Sequence, residues 1–154
     1  MIHLRFESRL AADAATVWQH ASSMAGVNRE LMPLVRMTYP ADRAALPQGE
    51  AVPRGVLFHS WLMLFGVLPF DRHALRLSQV WPQQGFDEDS TSWLQTRWIH
   101  RRRLITHADG VSVIDELEIT PRLRFAAPLV GLMVTQIFRH RHRRLVKRFG
   151  TPAS

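Results

Sequence analysis

Four polar residues fall at positions where the surrounding pattern is apolar, and their types suit acid–base chemistry. In "WLQTRWIHRRRLIT", His100 and Arg102 share the parity of Trp98 and Leu104; in "VSVIDELEIT", Asp115 shares that of Val113, Leu117 and Ile119. Alternate residues of a strand face one side, so these three belong to largely apolar faces. Arg141 lies among Ile137, Phe138 and Leu145 on the apolar face of a helical pattern. A histidine beside a carboxylate can act as a general base, and a guanidinium can stabilise an oxyanion. The candidate catalytic residues are therefore His100, Asp115 and Arg141. A buried guanidinium is costly without a partner, so Arg141 is expected to meet an acid inside.

The turn "HADG" sets how the two strands meet. With His107–Gly110 as the loop, Thr106 pairs with Val111, Leu104 with Val113, Arg102 with Asp115, His100 with Leu117 and Trp98 with Ile119. The opposite face then carries Arg101 against Glu116 and Arg103 against Ile114. This register predicts a polar cluster of Asp115 with Arg141, joined by Arg102 or His100, under the C-terminal helix.

Other chemistries are disfavoured. The chain has no Cys, which removes thiol nucleophiles, disulfides and cysteine-ligated zinc. His140 and His142 are two residues apart on a helix, roughly 200° around it, and cannot chelate one ion. No metal and no cofactor are expected.

The elements that must position these residues can be read in order. Ile2–Leu10 alternates as a half-buried strand, and "AADAATVWQHASS" and "GVNRELMPL" read as two short helices with Asp13 as the first cap. A short strand at Val35–Tyr39 and a turn-rich loop to Pro53 follow. Then come "GVLFHSWLMLF", "RHALRLSQVW", "GFDEDSTS", "WLQTRWIHRRRLIT" and "VSVIDELEIT", spaced as an antiparallel meander. A long helix runs from about Ala126 to Phe149, with Pro128 in its first turn and Gly150 at its end. Its basic run "RHRHRRLVKR" reads mostly as a solvated side, with Arg139, His140, Arg143, Arg144 and Lys147 opposite an apolar side of Val130, Met133, Val134, Ile137, Phe138, Leu145 and Phe149.

The 154 residues are 46% hydrophobic and 21% charged, and suit one globular domain, 1–154, with its last few residues disordered. "MIHLRFESRL" lacks an apolar signal core, and "WLMLFGVLPF" and "FAAPLVGLMV" fall short of the ~20 residues of a membrane-spanning helix. A soluble, cytoplasmic protein is the expectation. A net charge of +7 allows peripheral contact with anionic surfaces through Arg101, Arg103, Arg143, Arg144 and Lys147, but no specific nucleic-acid partner is expected.

Several of these segments together resemble the START-like (SRPBCC) superfamily of helix-grip proteins. "RWIHRRRL" is similar to its Trp-x-His-x-His/Arg-x-apolar strand, "SVIDELEITPR" to the strand after it, and "IFRHRHRRLVKRF" to its closing helix. "RELMP" and "FGVLPFDRHALRL" resemble its helix-to-strand turn and Gly-x-Leu-Pro hairpin. Arg102 stands where the pattern can carry a second His, and no Rieske or iron-ligand pattern is present. The resemblance implies an α+β fold: an antiparallel sheet of about seven strands curled around the C-terminal helix, with two short helices after the first strand. It also implies an apolar cavity between sheet and helix.

The expected function is binding of a small hydrophobic molecule, lipid-like or aromatic, in that cavity. The alternative is a polyketide cyclase- or dehydratase-like enzyme using an acid–base residue there. Expected lining residues are His59, Trp61, His73, Leu75, Leu77 and Trp81 from the earlier strands, Trp98 and His100 from the "RWIH" strand, and Val134, Phe138 and Arg141 from the helix. "VLFHSWLML" is apolar on both parities, so His59 and Trp61 can face either side.

Overall fold

The computed structural model describes residues 1–48 and 52–153. Residues 49–51 of the expected loop, and Ser154 of the expected disordered end, lie outside the described residues.

Strand β1 (Ile2–Leu10) is followed by helices α1 (Ala14–Ala21) and α2 (Met24–Leu31). Their starts are set by side chains: Asp13 Oδ1 accepts from Thr16 N at 2.8 Å, and Ser23 Oγ from Gly26 N at 3.0 Å. Gly26 lets the two helices approach, since a Cβ there would lie 1.8 Å from the His20 carbonyl oxygen.

After β2 (Val35–Met37) come β3 (Phe58–Leu64), β4 (Leu68–Leu75), β5 (Leu77–Trp81), β6 (Gly85–Ser92), β7 (Gln95–His107) and β8 (Gly110–Pro121). Seven strands form an antiparallel path in the order β1-β8-β7-β6-β4-β3-β2, and short β5 pairs β6 beside it. The run "RHALRLSQVW" is thus two strands. β4 pairs β3 on one side and β6 through His73↔Ser92 and Ala74↔Thr91, whereas β5 pairs only β6. At the break, Arg76 N donates to Ser90 Oγ and its carbonyl accepts from Asp89 N.

The β7–β8 register follows the turn: Arg102↔Asp115, His100↔Leu117 and Leu104↔Val113 are opposed, with the loop closing at His107↔Gly110. Gly110 has φ 153°, and a Cβ there would meet the Leu10 carbonyl oxygen at 1.9 Å.

The long helix α3 (Ala127–Phe149) packs on β1, α2 and β8. Its end is tied to β1 by Ala11 N donating to the Gly150 carbonyl at 3.0 Å. The interior has two apolar cores. One holds Leu10, Trp18, Leu104, Val111, Val113 and Leu145; the other holds Leu117, Ile119, Val134 and Phe138. The polar residues lie between them on three elements at once. Asp115 separates Val113 from Leu117 on β8, His100 and Arg102 separate Trp98 from Leu104 on β7, and Arg141 and His142 separate Phe138 from Leu145 on α3. No helix among the described residues is long and apolar enough to cross a membrane.

Candidate functional site

Arg102 is the hub of the polar layer. Its Nε and Nη2 donate to Asp115 at 2.8 and 2.7 Å, and its Nη1 and Nη2 donate to Glu30 at 3.1 and 2.9 Å. All three residues are essentially inaccessible. Two bidentate forks satisfy the guanidinium, which is the condition for a buried charge to be tolerated. Asp115 also accepts from His100 Nε2 at 2.7 Å and His142 Nε2 at 2.8 Å. On its far side, His142 Nδ1 is 2.7 Å from Ser8 Oγ of β1.

Arg141 is buried, as the apolar surroundings required, but its acid is Glu30 and not Asp115. Nε donates to Glu30 Oε1 at 3.2 Å, and the guanidinium lies 4.8 Å from the Phe138 ring centroid. The reason is positional: Arg102 already occupies both Asp115 oxygens, and α2 brings Glu30 between the two guanidiniums. His20 Nε2 lies 3.1 Å from the other oxygen of Glu30.

A second pair lies toward the cavity. His73 Nε2 is 2.6 Å from Glu88 Oε1, which also accepts from Ser90 Oγ at 2.7 Å. His100 Nδ1 is 3.6 Å from Glu88 Oε2. Glu88 thus orients His73 through Nε2, and His100 lies between two carboxylates, Asp115 at Nε2 and Glu88 near Nδ1, which makes these two imidazoles the acid–base candidates of the site.

The carboxyls of this layer stay ionised. Burial alone would raise each of them, but Arg102 and Arg141 hold Glu30 far below the usual carboxylate range. His100 and His73 do the same for Glu88, and Arg102 and His100 for Asp115. The unfolded carboxyls titrate near ~4 and the folded ones lower, so below ~pH 4 the unfolded state binds protons first. Their stabilisation is complete above that point and is lost as pH falls through the folded values. The melting temperature is therefore expected to fall steeply between about pH 4 and pH 2, and less steeply in Asp115→Asn. An equal slope in that variant, followed by circular dichroism, would refute the assignment.

Between α3 and the sheet lies a cavity of about 140 Å³. Leu31, Val35, Leu62, Phe70, Val130, Val134, Ile137 and Phe138 give it an apolar body, and Asp71, His73, Glu88, Ser92, Gln95, His100 and Arg141 a polar side. Leu94 and Met133, 43% and 38% exposed, mark its mouth. Two polar groups there have unused capacity. Gln95 is buried, and its Oε1 has no hydrogen-bond partner among the described residues. Arg141 uses only Nε, leaving its Nη donors without an acceptor among those residues.

Six of the eleven expected lining residues border this cavity: His73, Trp98, His100, Val134, Phe138 and Arg141. The other five do not. His59 and Trp61 point out of the sheet, because Phe58 and Ser60 take the inward parity; Trp61 packs on Trp93 and Arg72 outside. Leu75 and Leu77 are buried in the first apolar core. A register shift between Leu77 and Gln79 turns Val80 inward and Trp81 outward, onto the Arg103 guanidinium at 4.9 Å. Glu30, Glu88, Gln95 and His142 escaped sequence reasoning. For Glu30 a signal existed: on a helical wheel it falls inside the arc of Met24, Gly26, Val27 and Leu31.

Comparison with known proteins agrees with this architecture. Residues 8–149 match the family described as a domain of unknown function (DUF8410). No curated protein matches the sequence. Among solved structures, the ZhuI aromatase/cyclase from Streptomyces sp. R1128 superposes with a TM-score of 0.70 at 11% identity, covering 96% of this chain and 92% of that one. A START superfamily protein from Mycobacterium smegmatis gives 0.65 at 13% identity over 96% of each chain. A protein from Rhodobacter sphaeroides gives 0.65 at 15% identity, over 94% and 93%. At such identities the likeness establishes the fold, which is the START-like helix-grip fold.

Proposed function

This chain belongs to the DUF8410 family, and from its helix-grip cavity we propose that it binds a small, largely apolar, uncharged molecule between α3 and the sheet. The observation that carries the reading is the pairing of an apolar cavity with unused hydrogen-bonding capacity at Gln95 and Arg141. An unpaired polar atom in a dry interior is costly, and a ligand hydroxyl would complete Gln95 Oε1, while a ligand carbonyl or hydroxyl could also accept from the Arg141 Nη donors. A cavity near 150 Å³ holds a ring of benzene size, so a molecule burying about one ring suits about 140 Å³. Charge disfavours an anionic ligand: four acidic side chains (Glu30, Asp71, Glu88, Asp115) lie in or beside the cavity against two guanidiniums (Arg102, Arg141). A cysteine-free chain suits a cytoplasmic carrier or sensor of such a molecule.

A second reading is favoured by the His73–Glu88 and His100–Asp115 pairs: a cyclase- or dehydratase-like enzyme in which one of these imidazoles removes a proton and Arg141 stabilises the resulting enolate oxygen. Native mass spectrometry of freshly purified protein tests the binding reading. A stoichiometric apolar adduct is expected, and Val130→Trp at the cavity rim should lose it while keeping the wild-type circular dichroism spectrum. Protein that purifies empty and takes up no aromatic probe removes the proposal. His100→Gln separates the second reading: turnover of a bound compound should vanish while its uptake persists.

A further inference from the structure

The face of α3 turned away from the sheet has an order of its own. Residues 129, 132, 136, 139, 143 and 147 recur at three- and four-residue steps and so form one stripe about 27 Å long. Its first part is Leu129 and Leu132, 60% and 59% exposed, preceded by Phe125 at 83% in the turn before the helix. Its second part is Arg139, Arg143 and Lys147, all exposed. Helix α3 contains no acid, and none of these three cations forms an ion pair with a described residue. By contrast, Arg101 and Arg103 on the sheet's outer side are engaged by Glu118 and Asp87.

We propose that this stripe docks the protein on an anionic lipid surface, with Phe125, Leu129 and Leu132 sunk among the acyl chains and Arg139, Arg143 and Lys147 on the headgroups. Large exposed apolar side chains on a soluble fold mark a contact surface, and a row of unpaired cations beside them calls for an anionic one. RNA would satisfy the cations but leave the three apolar side chains in water. A second copy is disfavoured by charge: along its full length a twofold pairing of the stripe would set cations against cations when parallel, or against leucines when antiparallel, leaving the cations without acids in either case. The location has a consequence for the cavity, because Val130 and Met133 on the same part of α3 border it. Docking places the mouth at the lipid, where an apolar ligand is concentrated.

The test is co-sedimentation of the full chain with vesicles of phosphatidylcholine, with and without phosphatidylglycerol. Wild-type protein should bind the anionic vesicles and release them at high salt. Leu129→Ser/Leu132→Ser and Arg139→Glu/Arg143→Glu/Lys147→Glu should each weaken binding at least about tenfold, with unchanged circular dichroism because the altered side chains are exposed. A control with the same charge change elsewhere, Arg9→Glu/Arg54→Glu/Arg76→Glu, should retain most of the binding. Equal loss in that control would mean attraction by net charge alone and overturn the proposal. So would equal binding to neutral vesicles, no vesicle binding, or retention on a polyribonucleotide that the Leu129→Ser/Leu132→Ser change leaves intact. None of these outcomes depends on what occupies the cavity.

Discussion

Arg102→Met is expected to lower the melting temperature by roughly 6–20 °C, corresponding to about 3–5 kcal/mol in a domain of this size. The magnitude comes from what stays behind. Met fills similar space, so packing changes little, but Glu30 and Asp115 remain buried without the cation that both share. Glu30 would keep only the single bond from Arg141 and the nearby His20; Asp115 would keep His100 and His142. Placing Glu30→Gln and Asp115→Asn in the Arg102→Met background should restore part of the loss, because uncharged amides cost less to bury than unpaired carboxylates. Thermal unfolding of the single and triple variants decides it. A fall of under about 2 °C, or a triple variant worse than the single one, would show that Arg102 is not the hub.

How much of this layer was legible in the sequence depends on the distance over which each contact is specified. The β7–β8 facing could be read because a tight turn and a period of two leave one register that buries Trp98, Val113, Leu117 and Ile119 together, and that register puts Arg102 against Asp115. That Arg141 must be paired could be read from its place on an apolar helix face. Which acid pairs it could not, because α2 reaches α3 only through tertiary packing: the helical wheel puts Glu30 on the apolar arc of α2 but does not say what that arc meets. The cavity wall shows the same division. Strand β3 is apolar on both faces, so alternation does not tell whether His59 or Ser60 points inward; the outer pairing of Trp61 with Trp93 decides it. Trp81 depends on a one-residue bulge, which reverses parity without a composition signal. Gln95 sits at the start of β7, where its backbone N donates to Ser92 Oγ, and nothing in the "SWLQTR" pattern marks its side chain as buried.

Phe138→Ala should destabilise the protein by about 3–5 kcal/mol and, unlike Arg102→Met, should be partly rescued by a small aromatic compound. Phe138 is 2% exposed and stands where the apolar core, the cavity and the polar layer meet. Its ring stacks on Phe6 at 5.6 Å, meets His100 edge-on at 5.2 Å and lies under the Arg141 guanidinium at 4.8 Å. Truncation removes those contacts at once, and the vacated space joins the existing cavity instead of forming an isolated void. A joined space that opens near Leu94 and Met133 can be refilled from solution. Ligand stabilisation grows as RT ln(1 + [L]/Kd), so indole or benzene at about 100 times its Kd should return about 2.7 kcal/mol. Titrating the variant with such a compound while following its melting temperature makes the comparison, with Leu145→Ala as the control. Leu145 is 1% exposed in the other apolar core and does not border the cavity, so its void should stay inaccessible and the compound should have little effect. Rescue of both variants alike, or of neither, would mean that the space beside Phe138 is not the site where an apolar ligand enters.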